Sequence, residues 1–292
     1  MSASALLAVP NVSEGSDESA IAAIAQAFQS TGARLLDLHS DVDHQRTVLT
    51  LQGRAGALAQ ALLAGARETV ARIDINDGRG AHPHVGALDV APLVYLQESA
   101  RGAACAEALV LAAGLGEQLG VPVFLYGELA GGRTRAQLRR GGPSGLARRI
   151  AAGECTPDFG PARMHPSAGA TLVAARPPLV AFNLELASPA SVRDAHAIAA
   201  AIREGGADGL PGVRAIGVAL QGGRVAQLSM NIERSTEVSL ARVVQAVRAY
   251  APLARAELVG LAPRSALEGF PADLPMPGFD PARQVIENAL GF

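Results

Sequence analysis

Lysine is absent from this chain of 292 residues; all 25 basic residues are arginine. That absence excludes imine formation on a lysine, a lysine general base and the phosphate-binding lysine of a P-loop. Recognition of an acidic ligand then falls to arginine or to a helix N-terminus. Cysteine is scarce: Cys105 and Cys155 are the only two, too few for a disulfide framework, so the expected compartment is the cytoplasm. No window of about 18 uncharged apolar residues appears, as a membrane span would need. Residues 1–9 lack the basic start and long apolar stretch of a secretion signal. Charge of one sign is nowhere concentrated and the net charge is −2, so no nucleic-acid face is expected. What is present is apolar: 49% hydrophobic against 18% charged residues, enough for a sizeable core in one large domain or two ordinary ones.

Hydrophobic periodicity sets out an order of elements. "ALLAVPNVSEGSDESAIAAIAQAF" reads as a short strand, a polar loop and a helix whose Ile21, Ile24, Ala25 and Phe28 recur at helical spacing, capped by Ser16 or Asp17. "RLLDLH" and "RTVLTLQG" read as strands, "AGALAQALLAGARETVARI" as a helix, "GALDVAPLVYLQ" as a strand, "GAACAEALVLAAGLGEQLG" as a helix and "VPVFLYGEL" as a strand. This βαββαβ order with an added αβ predicts an α/β (α+β) fold of the split βαβ, ferredoxin-like type, with helices on one face of the sheet. Residues 130–166, rich in Gly, Arg and Pro, read as a connecting excursion with a short helix near "SGLARRIAAG". The pattern then restarts with "GATLVAA" and "PLVAFNLELA" and runs on through a helix, a hairpin turning at "QGGR", a helix, a strand and a closing helix "PARQVIENALGF". Two subdomains are expected, residues 1–177 and 178–292, with a ligand cleft between them.

Several stretches carry residues suited to chemistry. "GRGAHPHVGALDV" sets His82 and His84 either side of Pro83, two of only six histidines. At i and i+2 in an extended segment two imidazoles point the same way, as in a metal pair, with His39, His44, Asp37, Asp43 or His165 available as a third ligand. A single histidine titrating near neutrality serves equally as a general acid/base. An exposed turn without chemistry is the third reading, and spacing alone leaves all three open. "PNVSEGSD" offers Asn11, Ser13 and Glu14 before a helix N-terminus, which suits an anion or simple capping. "DVDHQRT" gathers Asp41, Asp43, His44 and Arg46 in one turn. In "PDFGPARMHPSAGAT" proline and glycine fix a loop that presents Arg163 and His165. Arg139, Arg140, Arg148 and Arg149 read as a solvated surface.

Taken together, "VPNVSEG", "LLDLHSDVDHQRTV", "HPHVGALDV", "VPVFLYGE", "PDFGP", "PSAGAT" and "AFNLEL", in this order from about Val9 to Val259, resemble the glutamate formiminotransferase family. The resemblance implies transfer of a formimino group from N-formimino-L-glutamate to N5 of tetrahydrofolate, a co-substrate, in histidine breakdown. It implies two α/β subdomains, a homodimer, small-molecule partners only, and no metal. His82 falls on the family's catalytic acid/base. Gly160, Pro161, Ala162, Arg163, Met164, His165, Pro166, Ser167, Ala168 and Gly169 fall on its folate-contacting stretch. Arg46 and Arg163, inside matching blocks, are the expected partners of ligand carboxylates and are expected to line the cleft near His82. The chain departs from the family's pattern at His84 (usually arginine), His39 (aspartate), Gln45 (asparagine) and Ala168 (tryptophan). The family's "GEYE" stretch is not recognisable in "RRGGPSGLARR". Two other expectations stand beside the transferase. One is a folate- or amine-binding homologue without transfer activity; the other is a metal-dependent hydrolase built on His82 and His84 with His39 or Asp37.

Overall fold

The computed structural model describes residues 5–77 and 83–291. The chain divides into two compact units, Met1–Pro177 and Pro178–Phe292, each built around its own sheet.

In the first unit β1 (Ala5–Ala8) and β2 (Asn11–Val12) follow one another along a single lane of the sheet. Helix α1 (Glu18–Gln29) is capped by Asp17, whose carboxylate accepts from the amides of Ser19 and Ala20, and it buries Ile21, Ile24, Ala25 and Phe28, as their spacing predicts. Strands β3 (Arg34–Asp41) and β4 (Arg46–Arg54) form an antiparallel hairpin closed by the Asp41–Arg46 pair. Helix α2 (Leu58–Arg72) has no side-chain cap of its own. Glu107 of the later helix α3 supplies one, accepting from the backbone amides of Gly56 and Ala59. Strand β5 (Leu88–Tyr95) is buried along its whole length. It leads into α3 (Arg101–Leu119), β6 (Val123–Leu125), α4 (Arg135–Arg139), α5 (Gly142–Ala151) and β7 (Thr171–Arg176).

The sheet runs β3, β4, the β1/β2 lane, β5, β7, β6. It is antiparallel up to β5 and parallel across β5, β7 and β6. Parallel strands lie under cover on both faces, and the core bears this out. Leu6, Ile24, Phe28, Leu62, Leu111 and Val173 pack on one side of the sheet. Val85, Val90, Phe124, Leu138, Leu146 and Leu172 pack on the other, where α4 and α5 lie. Helices on one face only, as expected from the element order, is therefore corrected. So is the restart at "GATLVAA": that stretch is β7, and it completes the first sheet. "VPVFLYGEL" is a strand only as far as Leu125.

The second unit runs β8 (Val180–Leu186), α6 (Val192–Ile202), β9 (Val213–Leu220), β10 (Val225–Ile232), α7 (Leu240–Arg248) and β11 (Leu253–Val259). Its four strands are antiparallel throughout, in the order β11, β8, β10, β9. Phe182, Leu184 and Leu228 from the strands meet Ile198, Val243 and Val247 from α6 and α7 in one core. Fully burying each such side chain contributes about 1.5–3 kcal/mol. The expected closing helix is two short ones, α8 (Pro281–Gln284) and α9 (Ile286–Leu290), interrupted at Val285, which bridges to Ala262. Among the described residues no helix is long and apolar enough to cross a membrane.

Candidate active site

His82, the expected acid/base, lies outside the described residues; the turn that follows it does not. Residues 85–87 enter β5 with nearly every backbone polar group committed. The Val85 amide donates to Oδ1 of Asp89 at 2.7 Å, and the Val85 carbonyl accepts from the Ala170 amide at 3.0 Å. The Gly86 carbonyl accepts from the Ser13 hydroxyl at 2.7 Å. Ala87 donates to the Ala168 carbonyl at 2.9 Å and accepts from the Ser13 amide at 2.8 Å. Three stretches far apart in the sequence, 13–14, 83–87 and 165–170, thus meet beside β5.

Two glycines permit that approach. A Cβ on Gly86 would lie 1.9 Å from the Ala170 carbonyl oxygen. Gly169, at φ +70°, adopts a left-handed conformation that side chains disfavour, and a Cβ there would lie 2.3 Å from the Val85 carbonyl oxygen.

The 160–169 stretch, expected to contact folate, is an ordered loop ending in a tight turn. Pro161 is half-buried, Ala162 and Arg163 are exposed, and Met164 packs against the cluster under α4 and α5. His165 and Gly169 bond to one another through their backbones at 2.9 and 3.1 Å. Inside that turn Nδ1 of His165 accepts from the Ala168 amide at 3.0 Å, which places the ring's donor at Nε2. The carbonyls of Pro166 and Ser167 accept from the Asn76 side chain and the Ile75 amide. Ala168 is buried in the core. In this chain position 168 is a packing contact, where the resemblance leads one to look for an aromatic face.

The end of β2 and the start of β4 form the adjoining rim. Thr47 Oγ1 donates to the Glu14 carbonyl at 2.6 Å and shares a hydrogen bond with the Ser40 hydroxyl. Arg46 opens β4 and is half-buried; a Cβ on Gly15 would sit 2.8 Å from its amide nitrogen. Of the two readings of the start of α1, an anion site or simple capping, the structure shows capping by the chain's own carboxylates. Glu14 accepts from the amides of Ser16 and Asp17 at 2.7 and 2.9 Å and from the Ser16 hydroxyl, and Asp17 caps the helix.

Burial pushes the Glu14 pKa up, but these hydrogen bonds outweigh it and the carboxyl ends below its ordinary value. A depressed folded-state pKa contributes stability above the unfolded pKa and loses it as pH falls through the folded value. Glu14→Gln should therefore flatten the fall in unfolding free energy below the ordinary value of 4.5, measured by urea titration at a series of acid pH values. An unchanged slope would show that Glu14 holds no depressed pKa.

Gln45 occupies a left-handed backbone position, φ +47°, at the β3–β4 turn. Asparagine, the residue of the family's pattern there, tolerates that conformation better. Gln45→Asn should stabilise the chain by part of the roughly 1–2 kcal/mol that a left-handed residue costs; a loss of stability on thermal melting would contradict the assignment.

His39 and His84 are half-buried, and Asp37 and His44 are buried. Among the described residues no group of three His, Cys, Asp or Glu side chains is arranged to hold a metal ion. Of the four arginines expected on the surface, Arg140 and Arg148 are exposed. Arg139 is not: its side chain is 13% exposed and pairs with Asp89, itself 4% exposed. Arg149 is also engaged, donating to the carbonyls of Leu138 and Arg140. Asp89 and Ser13 hold the 85–87 turn, yet only Ser13 stands out in the sequence. A lone acid inside the apolar run "ALDVAPLV" is the signal that points to Asp89, since a buried carboxylate requires a partner.

The model of the formiminotransferase domain, N-terminal subdomain, matches residues 5–176, and that of the formiminotransferase domain matches residues 181–269. A glutamate formimidoyltransferase of Streptococcus pyogenes serotype M1 is 34% identical over 292 residues, covering 97% of both chains. A glutamate formimidoyltransferase of Thermoplasma acidophilum is 33% identical over 270 residues, covering 89% of this chain and 88% of that one. A formimidoyltransferase-cyclodeaminase of Rattus norvegicus is 37% identical over 277 residues, and this chain spans 50% of its length.

Proposed function

The chain belongs to the formiminotransferase domain family, and on that premise we propose that it transfers a formimino group from N-formimino-L-glutamate to N5 of tetrahydrofolate. The observation that carries this reading is the family match through both units together with a relative, named a glutamate formimidoyltransferase, aligned over nearly the whole chain. In this reading residues 1–177 and 178–292 are the two formiminotransferase subdomains. His82 is the general acid/base, and Arg46 with Gly160–Gly169 contacts the folate and the donor.

The chemistry asks little beyond a well-placed imidazole. The N5 amine attacks the amidine carbon and a new C–N bond forms. The tetrahedral intermediate then sheds the N5 proton to His82, which returns it to the glutamate nitrogen as the original C–N bond breaks. No covalent nucleophile is needed. The locked 165–170 turn supports the reading, because a turn pinned to the residues following His82 holds both parts of the expected site in one register. The same reading has the chain acting as a homodimer in the cytoplasm in histidine breakdown, which light scattering and cell fractionation check.

Incubating the purified chain with formiminoglutamate and tetrahydrofolate should give one glutamate for each 5-formiminotetrahydrofolate formed. No turnover at high enzyme concentration would reject this substrate pair. The burial of Ala168, which leaves no aromatic face there, favours a second reading, a folate- or small-ligand-binding homologue with altered substrate or no transferase activity. Calorimetric binding of tetrahydrofolate without turnover would select it.

A further inference from the structure

We propose that the outward face of helix α3 docks a second copy of this chain, the two helices lying antiparallel. The proposal gives the homodimer of the reading above its contact surface, and rests on that part of the reading. Helix α3 is apolar nearly all round. Between Arg101 and Glu117 its one charged residue is Glu107, which is buried and engaged in capping α2. A helix of that kind belongs in an interior. Yet one side of it is bare: Gly102, Ala106, Leu109 and Val110 are exposed and Ala113 is half-buried, opposite the buried Ala108, Leu111 and Leu115. Leu109 is 40% exposed and Val110 54%, two of the five large apolar side chains left outside among the described residues. The neighbouring helices are covered differently, since α1 turns Glu18 and Gln26 outward and α2 turns Gln60 and Arg67. A continuous bare apolar face marks an association surface.

The charges at its two ends name the occupant. Arg101 opens α3 and Glu117 lies in its last turn, each at the end of the helix dipole that disfavours it. Arg101 is held by Glu98 and Glu128. Glu117 is exposed and makes no ion pair among the described residues. An antiparallel second copy sets this right, because each Glu117 then lies beside the other copy's Arg101 and the amide end of its helix. The apolar residues match in the same register. With Leu109 facing Val110, Ala106 faces Ala113 and Gly102 faces Glu117, so large meets large at the centre and small meets small on either side. A surface that complements itself about a two-fold axis is what a homodimer requires. Arg67 and Gln118, hydrogen-bonded at 3.1 Å along one flank, give the apolar centre a polar rim.

Sedimentation of the purified full-length chain and its variants, each shown to be folded by circular dichroism, tests the proposal. Wild type should sediment as a dimer. Leu109→Glu and Val110→Glu, which put a carboxylate in the apolar centre, should each weaken association about thirtyfold or more. Val42→Glu changes an apolar residue that is 62% exposed in the β3–β4 turn, and it should leave association unchanged. Glu117→Arg suits the dipole of its own helix, yet it should weaken the dimer about fivefold, the scale of an exposed ion pair. Orientation is read from a double variant, Ala106→Cys with Ala113→Cys. Seven residues apart on one helix, about 10.5 Å, the two thiols are too distant to bridge within a chain. Mild oxidation should join position 106 of one copy to position 113 of the other, identified by mass spectrometry.

A wild-type chain that stays monomeric at high protein concentration would overturn the proposal together with the homodimer reading, and leave the transfer chemistry to its own assay. A dimer that survives both Leu109→Glu and Val110→Glu would overturn the proposal alone. So would a dimer broken by Val42→Glu and not by Leu109→Glu, or a dimeric double-cysteine variant that forms no link between positions 106 and 113.

Discussion

His82→Ala should lower the rate of formimino transfer about 100-fold or more, the usual contribution of a positioned acid/base, while leaving the melting temperature and the KM for tetrahydrofolate near wild type. The expectation follows from the proton inventory of the proposed reaction. Nitrogen–carbon bond formation leaves a proton on N5 that must go, and glutamate departs only when its nitrogen gains one. Removing the group that carries this proton removes an interaction made in the transition state and not in the ground state, so kcat and kcat/KM should fall together. His84→Ala is the matched control, and its rate should change much less. Comparable losses in both variants would remove the distinction between catalyst and neighbour.

Gly86→Ala should cost about 3 kcal/mol of stability, at the upper end of overpacking effects. It should also lower the melting temperature by roughly 6–12 °C for a unit of this size. The cause is steric: the new methyl group would sit 1.9 Å from the Ala170 carbonyl oxygen and 2.9 Å from that of Ala168, both backbone atoms. The 85–87 turn and the 168–170 segment would have to part, and the Val85–Ala170 and Ala87–Ala168 hydrogen bonds would lengthen with them. Transfer activity should fall by a larger factor than stability alone explains, because the two expected parts of the site move apart. A melting temperature within a degree or two of wild type would show that these segments are not in register as described.

The elements were legible where local pattern decides them. Ile21, Ile24, Ala25 and Phe28 recur with the helical period and all four are buried on α1. The Asp17 cap, the β3–β4 hairpin and the turn between β9 and β10 were equally readable, since each depends on neighbours in sequence. What failed was non-local. Thr171–Arg176 looks like the opening of a second pattern because nothing in those residues states that they slot in parallel between β5 and β6. "PARQVIENALGF" has helical periodicity, yet Val285 leaves the helix to bridge Ala262.

The site divides in the same way. His165 was visible as a candidate from its loop, but its contact with the Ala168 amide is a property of the folded turn. Arg139 sits in "QLRR", which reads as a charged surface, and its partner Asp89 is fifty residues away. At the start of α1 the sequence leaves an anion site and simple capping both open; the Asp17 cap is readable, while the turn that Glu14 closes on the Ser16 and Asp17 amides is a property of the fold.

The most direct test follows the one carbon that the proposed reaction moves. Formiminoglutamate labelled with carbon-13 at the formimino carbon is mixed with tetrahydrofolate and the purified chain, and the label is tracked by NMR and mass spectrometry. The account predicts that the label arrives on N5 of tetrahydrofolate, one equivalent per glutamate released, with the rate collapsing in His82→Ala. Label released into water as a one-carbon hydrolysis product, at a rate independent of tetrahydrofolate, would contradict it and return the chain to the hydrolase reading.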